Sequence, residues 1–111
     1  MINIKIYLGK DGIISEINAS GHAEDARKGN SIVCAAASSL LRTAAKLTER
    51  ENDIKLTGAA EKKGVLFFKI TDYPENKHKW LKGVTDYLIL GLEDLSSEYP
   101  DDCKIYIKQL K

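Results

Sequence analysis

The fold of this 111-residue chain is decided by its opening stretch, MINIKIYLGKDGIISEINA (residues 1–19). Every second residue from Ile2 to Leu8 is apolar, which is typical of a strand with one buried face. Asp11-Gly12 then provides a strong turn signal, and a second strand is expected from Ile13 to Ala19. The stretch therefore predicts an antiparallel hairpin as the first part of a sheet.

The rest of the chain continues with helical and strand patterns in turn. Apolar residues recur at helical spacing in two long segments, and they alternate with polar residues in three shorter ones. The order ββ-α-ββ-α-β predicts an α+β fold in a single domain (residues 1–111), with a mainly antiparallel sheet of about five strands and two helices packed on one face. The expected elements are a helix from near Cys34 to near Arg50, a hairpin of 54–56 and 65–70, a helix from Trp80 to Tyr99 that Pro100 terminates, and a strand at 103–107.

Composition and charge exclude several classes of protein. Hydrophobic residues make up 43% of the chain, which is enough for one core. The sequence holds no apolar run of the roughly 18 residues that a membrane span needs, so no membrane partner is expected. Because the N-terminus alternates like a strand rather than resembling a signal segment, the protein is expected to be cytoplasmic.

The basic residues, 17 in number, nearly balance the 16 acidic ones, and the net charge is +1. Nucleic-acid binders usually carry a basic excess on one face, and here both signs are mixed along the chain. No direct nucleic-acid partner is therefore expected, although a local basic patch stays open.

The chain has two cysteines and two histidines, none of them in paired spacing. Cys34 and Cys103 lie far apart, as do His22 and His78, so neither a disulfide scaffold nor a zinc site is predicted. No cofactor or metal is expected.

Chemistry is most plausible between Ser20 and Cys34. Residues 20–31 lack hydrophobic periodicity and predict a long mobile loop, which in a compact domain is usually functional. Cys34 follows at the predicted start of a helix, where free amide groups and the helix dipole would stabilise a thiolate and an oxyanion. His22, twelve positions upstream, could activate that thiol, and Ser38 lies one helical turn beyond it.

Ordinary structural roles stay open for the same residues. A cysteine followed by alanines is commonly a small buried residue in a helix packing surface. His22 could be a loop histidine with one hydrogen bond, and Ser38 a solvent-facing helix serine. Gly21 and Gly29 could simply allow the loop to turn.

The motif itself resembles the signature of the bacterial ribosomal-processing cysteine proteases. Gly21-His22-Ala23, Gly29, Ile32-Val33-Cys34-Ala35-Ala36 and Ser38 carry the resemblance, and the order of elements extends it over nearly the whole chain. It implies a homodimeric, cytoplasmic endopeptidase that removes a short N-terminal extension from a large-subunit ribosomal protein, the twenty-seventh, cutting after an aromatic residue.

The resemblance also implies roles for individual residues. Cys34 corresponds to the nucleophile and His22 to the general base. Ser38 corresponds to a residue that helps to bind the substrate, and Gly21, Gly29 and Ser31 are also expected to bind it. The loop bounded by Gly21 and Gly29 is expected to be mobile and to order over the peptide.

The chain departs from the family pattern at Ser31, where many relatives have an aspartate that could act as a third catalytic member. A serine cannot stabilise an imidazolium as a carboxylate does. Asp25 or Glu24 could replace it, the third member could be dispensable, or activity could be lower. Ser31 is expected to act instead as the N-cap of the Cys34 helix. The alternative function is a non-catalytic ribosome-assembly or adaptor protein that binds the same ribosomal protein.

Overall fold

The computed structural model describes residues 1–9, 11–21, 28–59 and 65–110 of the chain. Within these ranges, five strands and two α-helices follow one another in the order that the sequence predicts. A 3₁₀ turn at Glu75–Lys77 precedes the second helix. The elements are β1 (Ile2–Leu8), β2 (Ile14–Gly21), α1 (Lys28–Glu49), β3 (Lys55–Ala59), β4 (Val65–Asp72), α2 (His78–Glu98) and β5 (Cys103–Gln109).

The strands form one sheet in the order β3-β4-β2-β1-β5. Neighbouring strands are antiparallel except for β1 and β5, which are parallel. The parallel pair arises because α2 carries the chain back along the sheet before β5 begins, as in any crossover connection. The predicted α+β fold with a mainly antiparallel sheet is thus confirmed.

One face of the sheet is buried beneath both helices. The alternating pattern of β1 places Ile2, Ile4 and Ile6 on this face, and Ile4 and Ile6 are fully buried. Burying one such side chain contributes about 1.5–3 kcal/mol, so this face supplies much of the core. The helices add Val33, Ala37 and Leu41 from α1 and Leu81, Leu88 and Leu92 from α2, and the other strands add Ile17, Ala19, Phe68 and Ile70.

Helix α1 begins at Lys28, six residues earlier than the prediction that placed its start near Cys34. Gly29 and Asn30 have poor intrinsic helix propensity, which concealed the first turn in the sequence. The packing of Val33, which is fully buried against the sheet, favours the helix there. Tertiary burial therefore outweighs local propensity at this end.

The predicted loop at residues 20–31 is correspondingly shorter. Ser20 and Gly21 belong to β2, and residues 28–31 form the first turn of α1. Because Ser31 is the fourth residue of the helix, its predicted role as the N-cap is wrong. Residues 22–27 lie outside the described residues, so the predicted mobility of the loop stays a prediction.

The second half of the chain follows the prediction more closely. The expected hairpin is confirmed as β3 and β4, each strand reaching beyond its predicted bounds. Helix α2 ends at Glu98, where the Tyr99 amide still donates to the Leu95 carbonyl at 2.9 Å and Pro100 follows. Of the helices in the described ranges, none is long and apolar enough to cross a membrane.

A buried hydroxyl connects α2 to the start of β2. Thr85 is almost fully buried, and its Oγ1 accepts a hydrogen bond of 3.1 Å from the backbone N–H of Ile14. The register of β1 and β2 shifts between Tyr7 and Leu8, close to this contact. The Thr85 hydroxyl therefore supplies an acceptor where the strand pairing is irregular.

Replacing Thr85 with valine keeps the shape of the side chain but removes this acceptor. The buried Ile14 amide would then lack a partner, and we expect the free energy of unfolding to fall by about 1–3 kcal/mol. Thr85→Ser keeps the oxygen and should cost less than Thr85→Val. Chemical denaturation of the three proteins measures this, and a valine variant as stable as the wild type would contradict the role of the hydrogen bond.

Gly21 ends β2 in a conformation that only glycine adopts readily. Its φ is +139°, and a Cβ atom built there would lie 2.7 Å from the Cα of Ile2 and closer still to the carbonyl oxygen of Met1. Gly21 is the pairing partner of Ile2 in the adjacent strand. The absence of a side chain thus permits β2 to lie against the first residues of the chain.

Gly21→Ala should therefore force the strands apart or strain the backbone. We expect a loss of more than about 2 kcal/mol in the free energy of unfolding. Gly83→Ala is the matched control, because a Cβ at this exposed position in α2 meets nothing within 4 Å. The free energy of unfolding of this control should rise by up to about 1 kcal/mol, because alanine has a higher helix propensity than glycine. Equal thermal stability of the two variants would contradict the close approach at Gly21.

Candidate functional site

Cys34 lies in the second turn of α1, at the boundary between the buried and the exposed sides of the helix. Its neighbour Val33 is fully buried and Ala35 is exposed, while Cys34 itself is half-buried and packs against the core. The thiol is therefore held by its surroundings without being sealed from solvent. Both cysteines of the chain, Cys34 and Cys103, are free.

Ser38 lies one turn beyond Cys34 on the same side of α1. Its side chain is exposed, and residues four apart on a helix have Cβ atoms about 5–6 Å apart. A peptide carbonyl lying along this side of the helix could contact both the thiol and the hydroxyl. The predicted juxtaposition of Cys34 and Ser38 thus follows from the observed helix.

Because α1 starts earlier than predicted, Cys34 does not lie at the free amides of the helix start. Only the first four backbone N–H groups of a helix lack an intrahelical partner, and these belong to residues 28–31. Lys28 is about 9 Å along the axis from Cys34, and the influence of the dipole falls off within the first turn. The prediction that free amides at the helix start surround Cys34 is therefore wrong.

The pairing of the strands locates the site at one end of the sheet. Ile2 pairs with Gly21 on one side and with Cys103 on the other. Burial raises the pKa of the Cys103 thiol, and the nearby Cys34 adds to this rise as a second negative charge. Cys34 thus lies near the same end of the sheet as Gly21, the residue directly before His22.

Other predicted site residues fall outside the described part of the chain or at its margin. His22, Glu24 and Asp25 are not among the described residues, so the pairing of Cys34 with His22 stays a prediction. Gly29 and Ser31 belong to the first turn of α1, and Gly21 is the last residue of β2.

The second histidine is remote from this end of the sheet. His78 begins α2, and its Nε2 lies 3.8 Å from a carboxylate oxygen of Asp11. Asp11 is in the turn between β1 and β2, at the opposite end of these strands from Gly21. Cys103, the first residue of β5, is fully buried in the core.

An apolar cleft lies between α1 and the β3–β4 hairpin, with a volume of about 280 Å³. Arg42 follows Ser38 by one more helical turn, so the cleft continues the side of α1 on which Cys34 lies. Sequence reasoning missed this cleft, and its only signal was the repeat of Cys34, Ser38 and Arg42 at four-residue spacing. The lining residues are Arg42, Ala45, Lys46, Glu49, Leu56, Gly58, Leu66, Phe67 and Phe68.

Known proteins share both the sequence pattern and the fold. The family model described as Cysteine protease Prp matches residues 1–104. SMU.848 from Streptococcus mutans, a solved structure, is 25% identical with a TM-score of 0.81, covering 99% of this chain and 96% of that one. A search of curated protein sequences finds no match to the chain.

The essential ribosomal processing protease Prp from S. aureus has the same fold. The protease chain in its complex with a substrate peptide aligns to this chain with 17% sequence identity and a TM-score of 0.81. In the complex with a covalently linked product peptide the values are 19% and 0.76. Both alignments cover 97% of this chain and 100% of that one. Since the family model spans nearly its whole length, the chain belongs to the cysteine protease Prp family and is a cysteine protease.

Proposed function

We propose that this protein is an endopeptidase that removes a short N-terminal extension from a large-subunit ribosomal protein, the twenty-seventh, with Cys34 as nucleophile and His22 as general base. Membership of the family supports the class of chemistry. The S. aureus relative, a ribosomal processing protease solved with a peptide, supports the class of substrate. The observation that carries the proposal is the half-buried Cys34 at the end of the sheet where β2 leads into His22.

In the proposed reaction Cys34 forms the covalent bond to the substrate and His22 carries the protons. His22 accepts the proton of the Cys34 thiol, and the sulfur attacks the scissile carbonyl carbon. The tetrahedral intermediate collapses to a thioester as His22 donates its proton to the departing amine. Water, deprotonated by His22, then hydrolyses the thioester and regenerates the thiol. No step requires a metal or a cofactor.

The developing oxyanion needs hydrogen-bond donors close to Cys34. Because the backbone amides of the second turn of α1 are engaged within the helix, we assign one donor to the hydroxyl of Ser38. Its exposed position one turn from Cys34 supports this role. Gly21, Gly29 and Ser31 are proposed to contribute to peptide binding through the backbone that enters and leaves the segment after β2.

A third catalytic member would have to come from the segment that contains Glu24 and Asp25, since position 31 carries no carboxylate. Such a group would orient His22 and stabilise its protonated form.

The cleft between α1 and the β3–β4 hairpin is proposed to receive an apolar side chain of the peptide. From Cys34 to Arg42 the helix rises about 12 Å, which corresponds to about four residues of extended peptide. The apolar lining by Leu56, Leu66 and Phe68 suits such a side chain. The cleft would thus bind, and select for, an apolar residue about four positions from the scissile bond.

We further propose that the protein works as a cytoplasmic homodimer. Tyr87 and Leu90 of α2 are 75% and 69% exposed, which is unusual for large apolar side chains. Beside them, Leu40, Leu47 and Trp80 line an apolar groove of about 470 Å³ between the two helices. A second copy of the chain seated on this helical surface would bury these side chains and leave the Cys34 side of α1 open.

Cys34→Ala tests the nucleophile. We expect it to abolish cleavage of a peptide that copies the extended N-terminus of the ribosomal protein, because no other group can form the thioester. The fold should persist, since the position is only half-buried. Cys103→Ala is the matched control, because it removes the other thiol and should retain cleavage. Mass spectrometry of the products decides, and wild-type cleavage by the Cys34 variant would exclude the mechanism.

His22→Ala tests the general base. We expect the rate constant of cleavage to fall by about 10²–10⁴, the usual contribution of a positioned acid–base group. His78→Ala is the matched control, because His78 lies beside Asp11 at the other end of the strands, and its rate should equal that of the wild type. Equal effects of the two substitutions on the rate would refute the assignment of His22.

A further inference from the structure

The face of the sheet that the helices leave uncovered carries most of the exposed lysines of the strands. Since side chains alternate along a strand, this face holds the residues that lie between the buried isoleucines. Four lysines on it are exposed, and three aromatic side chains lie among them, with Tyr106 half exposed and the other two half-buried. The lysines are Lys5, Lys69, Lys104 and Lys108, and the aromatic residues are Tyr7, Phe67 and Tyr106.

The strand register arranges six of these seven side chains in two parallel rows, and Lys104 lies in the next row, opposite Asn3. Neighbouring strands are about 4.8 Å apart, so each row of four spans about 14 Å, and the rows are separated by two residues, about 7 Å. Aromatic rings therefore alternate with ammonium groups at short distances. Across β4, β2, β1 and β5, the rows are Phe67, Asn18, Lys5 and Tyr106, then Lys69, Glu16, Tyr7 and Lys108.

The charge of this face differs from that of the helical layer. Within the two rows Glu16 is the sole acidic residue, and its carboxylate accepts a hydrogen bond of 2.8 Å from the Asn18 amide. The later turns of α2 carry the compensating acidic residues, Asp86, Glu93, Asp94 and Glu98. The two helices together carry five basic and five acidic residues, so the positive charge is concentrated on the sheet face.

We propose that this sheet face, the lysine face, binds a single-stranded polynucleotide. Lysine ammonium groups neutralise phosphates, and exposed rings on a sheet provide stacking platforms for unpaired bases. A flat face with rings suits single strands, since a duplex keeps its bases stacked inside. An acidic protein partner could pair with the lysines, but it would leave the aromatic rings without a function, so the rings favour a polynucleotide. This activity goes beyond the peptidase function and does not depend on it.

The expectation that nucleic acid is not a partner rested on the mixing of charges along the sequence. The lysines of this face come from β1, β4 and β5, which are distant in the sequence and are brought together only by strand pairing. The folded sheet therefore places on one face lysines that are separated by acidic residues in the sequence.

Fluorescence anisotropy with a labelled oligouridylate of about 12 nucleotides, a length within the usual site sizes, tests the proposal. Titrations between about 50 and 200 mM salt should give a linear dependence of log K on log salt concentration. Lys104→Gln combined with Lys108→Gln should reduce its slope by about 1.4, which is about 0.7 for each lost phosphate contact. The matched control is Arg50→Gln with Lys79→Gln, which removes two exposed charges from outside the sheet and should leave the slope unchanged.

Tyr106→Ala should weaken binding about five- to hundredfold through lost stacking, whereas Tyr106→Phe, which keeps the ring, should not. An oligothymidylate arm distinguishes RNA from DNA, and tight binding of either supports the lysine face as a single-strand site. Three results would overturn the proposal. They are no saturable binding, equal losses in the sheet variants and their matched controls, and displacement of the oligonucleotide by polyglutamate as effectively as by unlabelled oligouridylate.

Discussion

The pairing of Ile2 with Gly21 on one side and Cys103 on the other determines where the chemistry of this protein can take place. It brings the start of β1, the end of β2 and the start of β5 to one end of the sheet. The approach is so close at Gly21 that no side chain fits there, so the glycine of the Gly-His-Ala motif has a structural reason to be present. The buried face of β1 then holds α1 against this end, with Cys34 at the edge of the core.

The two faces of the sheet separate two kinds of surface. The buried face supports α1 and α2, and through α1 it holds the thiol and Ser38 on a rigid element. The opposite face carries Lys5, Lys104, Lys108 and Tyr106, none of which contributes to the core. The proposed nucleophile and the lysines of the proposed polynucleotide site therefore lie on different elements, and Lys104→Gln or Lys108→Gln leaves Cys34 and Ser38 in place.

Periodicity explains what could be predicted from the sequence. The alternation of Ile2, Ile4 and Ile6 and the helical spacing before Pro100 determine the hairpin and α2, because burial follows these patterns directly. The start of α1 could not be predicted, since Gly29 and Asn30 oppose helix locally and only tertiary packing of Val33 favours it. The cleft near Arg42 and the lysine face were also hidden, because they arise where residues distant in the chain are brought together by strand pairing.

The pairing of Cys34 with His22 is tested most directly by the rate at which iodoacetamide alkylates each cysteine near neutral pH, followed by mass spectrometry of the peptides. A thiol activated by a histidine should react quickly in the wild type and much more slowly in His22→Ala. Cys103, fully buried, should stay unmodified in both proteins and serves as the internal control. Slow alkylation of Cys34 in the wild type, or a rate that His22→Ala leaves unchanged, would contradict an activated nucleophile at this site.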